Sequence, residues 1–207
     1  MLQAIREAGA DRVLACSFSN AAADELRGRL STALMLSDAS LRESCSTIHS
    51  EALRRVRITS PDIKLYDAER DTVKTFKRGA TFDPGDRATP ATEAAISAWD
   101  MARALLIHED ENEVYGLCCD YGARKGQSGQ TLMDRIQYFE ARKRELEALD
   151  FTDMLLRALT LPARPLGFDL LVVDEAQDMT PLQWALVDHW SRTAKRVAVI
   201  GDADQCI

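Results

Sequence analysis

Three carboxylates and two amides stand close together in "VVDEAQDMTPLQ" (172–183): Asp174, Glu175 and Asp178, with Gln177 and Gln183. They follow an apolar run, Leu170 to Val173, in which polar residues do not alternate. Such a run reads as a strand covered on both faces, as in a parallel α/β sheet, where ligands gather at the carboxyl ends of the strands. Two adjacent carboxylates at a strand end suit a hard cation such as magnesium, which takes oxygen ligands. In phosphate-cleaving enzymes one carboxylate of this kind holds the metal, and its neighbour orients or deprotonates the attacking water. The plainer alternative is a strand followed by a solvated acidic turn. A second segment bears on that choice. "VAVIGDADQ" (197–205) repeats the pattern, with an apolar run, Gly201 for a tight exit, then Asp202, Asp204 and Gln205. Two parallel strands delivering acids and amides to one sheet edge favour a site over a turn.

The elements that must position these groups are legible upstream. "RVLACSF" (12–18) reads as a strand and "NAAADELRGRL" (20–30) as a helix, with Ser19 or Asn20 able to cap it. "CSTIHS" (45–50) reads as a short strand before a helix over "EALRRVR" (51–57), and "MLQAIREAG" (1–9) as a helix stopped by Gly9. Strand and helix in alternation give a parallel α/β sheet. The rhythm breaks where Pro61, Pro84, Gly85 and Pro90 punctuate the chain, and helical patterns follow over 92–110 and 131–148. These define a helical insertion, residues 60–145, within an α/β domain formed by 1–59 and 146–207. Helix resumes at "LDFTDMLLRAL" (149–159). At 180–183, Thr180 as N-cap, Pro181 at the first helical position and Gln183 three residues on spell a capping box.

Bulk properties narrow the class. Apolar residues at 46% and charged residues at 29% describe an ordinary globular protein. A net charge of -7 excludes a generally basic nucleic-acid coat while leaving room for a local basic groove. The five cysteines have no C-x-x-C spacing and read as reduced thiols, which, with no membrane-length apolar stretch or secretory signal, points to the cytoplasm.

On these residues the chain resembles the UvrD/Rep-type superfamily 1 DNA helicases. "VVDEAQDMTPLQ" is similar to their motif II, Asp-Glu-x-Gln-Asp, and "VIGDADQCI" to motif III. "LACSFSNAAADELRGRL" resembles motif Ia, "CSTIHSEALRRVR" motif Ib, and "LDFTDMLL" a segment preceding motif II. The resemblance implies a RecA-like P-loop NTPase sheet and an ATP-dependent helicase of DNA repair or replication. Such an enzyme translocates 3′ to 5′ on single-stranded DNA and opens duplexes at single-strand/duplex junctions. It implies ATP and Mg2+, with Asp174 as the metal ligand and Glu175 activating the water. Gln177 and Gln205 would sense the terminal phosphate, supported by Asp202. Phe18, Asn20, Thr47 and His49 would touch single-stranded DNA, by ring stacking and by hydrogen bonds to phosphates. Taken alone, His49 reads as an ordinary structural histidine and Phe18 as a core aromatic. Arg54, Arg55 and Arg57 read equally as a DNA path and as a solvated helix face.

The departures are as informative. Ala21 stands where the family usually has lysine, and Cys206 where serine is common. No G-x-x-x-x-G-K-S/T turn occurs, and the glycine pair in "KGQSGQT" (125–131) lacks the lysine. The family pattern places the phosphate loop just before residue 1, after a strand that would neighbour 12–18, and an aromatic residue and second RecA-like domain after residue 207. Two alternatives keep parts of this reading: the motor of a helicase-nuclease, and a degenerate DNA-binding or regulatory module without catalysis. Preorganised charge around the transferring phosphoryl group is the main catalytic resource in this chemistry. Residues 1–207 by themselves are therefore expected to show no DNA-stimulated ATP turnover. Phosphate-release assays on the purified chain check this, and turnover abolished by Glu175→Gln would contradict it.

Overall fold

The computed structural model describes residues 5, 7, 9, 12–42, 44–68, 72–75, 89–162 and 167–202. In chain order its elements are β1 (Val13–Ser17), α1 (Asn20–Leu34), β2 (Cys45–Thr47), α2 (Ile48–Thr59), β3 (Lys64–Asp67) and β4 (Thr72–Thr75). They continue with α3 (Pro90–Ala104), α4 (Glu111–Arg124), α5 (Gly129–Leu146), β5 (Ala148–Leu149), α6 (Phe151–Thr160), β6 (Leu170–Val173), α7 (Pro181–Ser191) and β7 (Arg196–Val199). The chain forms two compact units, Met1–Arg55 with Arg157–Ile207, and Val56–Leu156.

In the first unit the unalternating apolar runs become the inner strands of a parallel sheet, ordered β2-β1-β6-β7. Every residue of β1 and β6 is buried. Val13 pairs with Leu170 and Cys16 with Val173, so the two strands run level to their carboxyl ends. Val13, Ala15, Leu170 and Val172 turn one face toward Leu26 and Leu30 of α1. Sequence reasoning places a strand from before residue 1 beside β1. The sheet corrects this, because β2 and β6 occupy both sides of β1. Among the described residues β7 has one partner strand, and its Val197 and Val199 are exposed.

Local chemistry sets the helix starts. Ser19 caps α1 by accepting the Ala22 N–H. The strand expected over 45–50 ends at Thr47, because the Thr47 hydroxyl accepts the Ser50 N–H and turns the chain into α2. His49 is therefore helical. The capping box at α7 is complete: Thr180 Oγ1 accepts from the Gln183 N–H at 3.3 Å, and Gln183 Oε1 accepts from the Thr180 N–H at 2.9 Å.

The second unit packs α3, α4 and α5 around Ala94, Ala95, Ala98 and Ala102, whose small side chains admit Val114, Leu132, Ile136 and Phe139. The stretch that reads as wholly helical also holds strands β3 and β4, in a sheet ordered β4-β3-β5. These strands are two to four residues long, too short for a period-2 pattern to register. The glycine pair of "KGQSGQT" has structural duties. Gly126 takes φ +66°, and a Cβ on Gly129 would lie 2.6 Å from Cys119 Sγ.

Charge is buried in this unit, and it is paired. Arg103 donates to Asp100, Asp150 and Asp153, and Lys143 reaches Glu140, Asp150 and Asp153 at 2.6–2.9 Å. Burial opposes ionisation of Asp150, but Arg103, Lys143 and the Asp153 N–H together hold its carboxyl below the ordinary value. Asp153 is pushed up by burial and by the Asp150 charge. Glu140, Asp150 and Asp153 converge closely enough to resemble a cation site, yet Lys143 and Arg103 already supply the positive charge. Removing one partner of a buried pair strands the other. Arg103→Ala should cost about 3 kcal/mol or more in urea unfolding of residues 1–207. The exposed pair Arg142–Glu145 provides the contrast, and Arg142→Ala should cost less than about 1 kcal/mol. Equal losses would show that the buried network carries no special weight.

Candidate functional site

The site is built where β6 runs out. Asp174 still donates its backbone N–H to Cys16 O at 2.9 Å, the last rung toward β1. Glu175 then takes φ 54° and ψ 45°, a left-handed conformation unusual for a residue with a side chain. That turn ends the strand and leads into a single 3-10 turn, Ala176–Asp178, before α7. Ala176 donates to Ile200 O at 3.0 Å and Ile200 donates to Val173 O at 2.8 Å, so the exits of β6 and β7 are tied together.

Asp174 and Glu175 are half-buried. Burial, then the charge of Glu175, pushes the Asp174 carboxyl above its ordinary value, and the Glu175 backbone N–H and Arg29 only partly offset this. A carboxylate crowded by a second one and poorly solvated is the environment that a hard cation relieves, so the donor set fits magnesium. Asp174 would hold such an ion.

Gln177 joins the acidic pair to the next strand. Its Nε2 donates to Glu175 Oε2 at 2.6 Å, and its Oε1 accepts the Asp202 N–H at 3.1 Å. Glu175, Gln177 and Asp202 are thus one hydrogen-bonded group. Gln205, the other amide expected here, lies outside the described residues, as does Asp204.

The parallel sheet brings the exits of β1 and β2 to the same edge as those of β6 and β7. Phe18, on the bend after β1, is 43% exposed and is no core aromatic, and Asn20 is exposed at the start of α1. Thr47 is buried, with its hydroxyl 2.9 Å from Ser50 Oγ. His49 is half-buried. Arg54 and Arg55 do not read as a merely solvated face. Both pair with Glu51, which is 2% exposed, and Arg55 lies 5.3 Å from the Trp190 ring centroid.

Two features escape a sequence reading. Glu51 looks like any acid in a helix's first turn, and only the fold reveals it as the buried anchor of two arginines. Gly201 is a recognisable strand exit, but the reason for glycine is different. It shows no left-handed backbone, whereas a Cβ there would lie 2.8 Å from Gln177 Oε1.

The family model of the UvrD/REP helicase N-terminal domain matches residues 1–207. The chain is similar to the ATP-dependent DNA helicase PcrA of Leuconostoc citreum, at 26% identity over 212 residues, covering 95% of this chain and 27% of that protein. It is similar also to the ATP-dependent DNA helicase UvrD2 of Mycobacterium bovis and of Mycobacterium tuberculosis. Both are 27% identical over 226 residues, covering 96% of this chain and 30% of each protein. The chain thus spans less than a third of the length of these relatives. Among the described residues, no helix is long and apolar enough to cross a membrane.

The left-handed Glu175 gives a test that needs no ligand. A non-glycine residue in that conformation costs roughly 1–2 kcal/mol, which glycine escapes. In urea unfolding of residues 1–207, Glu175→Gly should exceed Glu175→Ala in stability by about 1 kcal/mol. Equal stability, or Ala the more stable, would contradict this backbone.

Proposed function

We propose that this chain, which belongs to the UvrD/REP helicase N-terminal domain family, forms part of the first motor domain of an ATP-dependent DNA helicase. The complete protein hydrolyses ATP, moves 3′ to 5′ along single-stranded DNA and opens duplexes at junctions. The observation that carries this reading is the junction of β6. Two carboxylates stand at the end of a fully buried strand, and Gln177 ties one of them, Glu175, to the exit of β7.

Within this reading Asp174 would hold Mg2+, whose charge would offset that of the nucleotide phosphates. Glu175 is the next residue and stands in the left-handed turn that ends the strand. It orients the attacking water and accepts its proton. Phe18, exposed beyond β1, offers a ring on which bases stack, and Asn20, Thr47 and His49 lie at the same sheet edge as the polar part of the DNA path.

A second reading keeps the fold and drops the chemistry: a non-catalytic DNA-binding module. Two substitutions in the complete protein separate the readings. Asp174→Ala should weaken magnesium-nucleotide binding, measured by fluorescent-nucleotide titration. Glu175→Gln should leave binding intact and slow DNA-stimulated hydrolysis by about a hundredfold or more, the range of a lost general base. Equal loss of nucleotide affinity in both would contradict the division of roles. Wild-type protein that binds DNA but neither binds nor hydrolyses ATP would establish the non-catalytic module.

A further inference from the structure

We propose that Gln177 and Gly201 form a positioning pair that sets the Glu175 carboxylate, and that through them the exit of β7 controls where that carboxylate sits. The inference rests on the reading of Glu175 as the group that activates water.

The Gln177 amide is used at both ends. Its NH2 donates to Glu175 Oε2 at 2.6 Å and its carbonyl accepts the Asp202 N–H at 3.1 Å. Only one orientation satisfies both neighbours, because a flipped amide would set oxygen against carboxylate and NH2 against N–H. Glutamate would set two carboxylates together, and asparagine, one methylene shorter, would not span the gap. The donor on a charged acceptor is the stronger contact, so Gln177 restrains Glu175 more than a neutral pair would.

Gly201 is the second half of the device. A Cβ on it would lie 2.8 Å from Gln177 Oε1, 3.3 Å from the Ala176 Cβ and 3.3 Å from Gln177 N. The nearest of these atoms is the end of a flexible side chain, so alanine here displaces the amide and spares the fold. Gly201 is itself exposed, which removes core packing as the reason for a small residue. The backbone around it is fixed to the β6 exit by the bonds from Ile200 to Val173 O and from Ala176 to Ile200 O. A shift of residues 201–202 therefore pulls on Gln177 and moves Glu175, while Asp174, held to Cys16 O on the other side, stays in place. In this role Gln177 and Gly201 act through Glu175.

The test uses Gln177→Ala, Gly201→Ala and the double variant. In residues 1–207, hydrogen exchange at the Asp202 amide should accelerate by about tenfold in each single variant, the equilibrium mark of one lost hydrogen bond. In the complete protein, each should lower kcat for DNA-stimulated ATP hydrolysis by about tenfold or more while leaving KM for ATP unchanged. The double variant should be no worse than Gln177→Ala, since both changes remove the same contact. A general loss of packing would instead add and would raise KM. Unchanged Asp202 exchange, additive losses in kcat, or normal kcat in both singles alongside a slow Glu175→Gln enzyme would overturn the pair. A protein whose turnover ignores Glu175→Gln would sink the underlying assignment of Glu175, while the Asp202 exchange would still decide whether the pair exists.

Discussion

The hydrogen bond from the Asp174 N–H to Cys16 O is the last rung between β1 and β6, and the site depends on where it falls. Up to that rung every residue of both strands is buried, and a charged side chain would have no water and no partner. One residue later the chain turns left-handed at Glu175 and leaves the sheet. Carboxylates can stand only at this boundary, close enough to the interior to be poorly solvated and near enough to the edge to meet a ligand. The level register of β1 and β6 sets the boundary, and the bonds between the β6 and β7 exits keep it from fraying.

The chain treats its two acidic groups in opposite ways. In the second unit Asp150 and Asp153 are matched by Arg103 and Lys143, both nearly inaccessible, so the charge is neutralised within the protein. At the end of β6 the strongest charge acting on Asp174 is another acid, Glu175, with Arg29 a lesser influence. A buried network with internal cations holds helices and strands in place. An acidic pair with so little internal countercharge is where the proposed function seats an external cation. The difference separates a structural cluster from a candidate site even though both are rich in aspartate.

How much of this was legible in the sequence follows from the length over which each signal acts. The absence of alternation in Leu170–Val173 announces a doubly covered strand, and Thr180, Pro181 and Gln183 spell out a helix start within four residues. Both are local patterns, and the parallel α/β class follows from repeating them. Strands β3, β4 and β5 are too short for any period, and they borrow stability from one another, which no single segment records. The pairing of β1 with β2 as well as β6 is likewise a property of the assembled sheet. At the site, the residue types are visible as acids and amides. The contact of Gln177 with both Glu175 and the Asp202 backbone links positions 25 residues apart and needs the fold to be seen. So does the reason for Gly201, which lies in a neighbour's side chain and not in its own backbone.

In the proposed function the end of β6 receives a divalent cation through Asp174. Paramagnetic broadening by Mn2+ tests it most directly, using amide spectra of isotope-labelled residues 1–207. Broadening should centre on the amides of 174–178 and 200–202 and be abolished by Asp174→Asn. Broadening centred instead on Glu140, Asp150 and Asp153, or a pattern indifferent to Asp174→Asn, would contradict it.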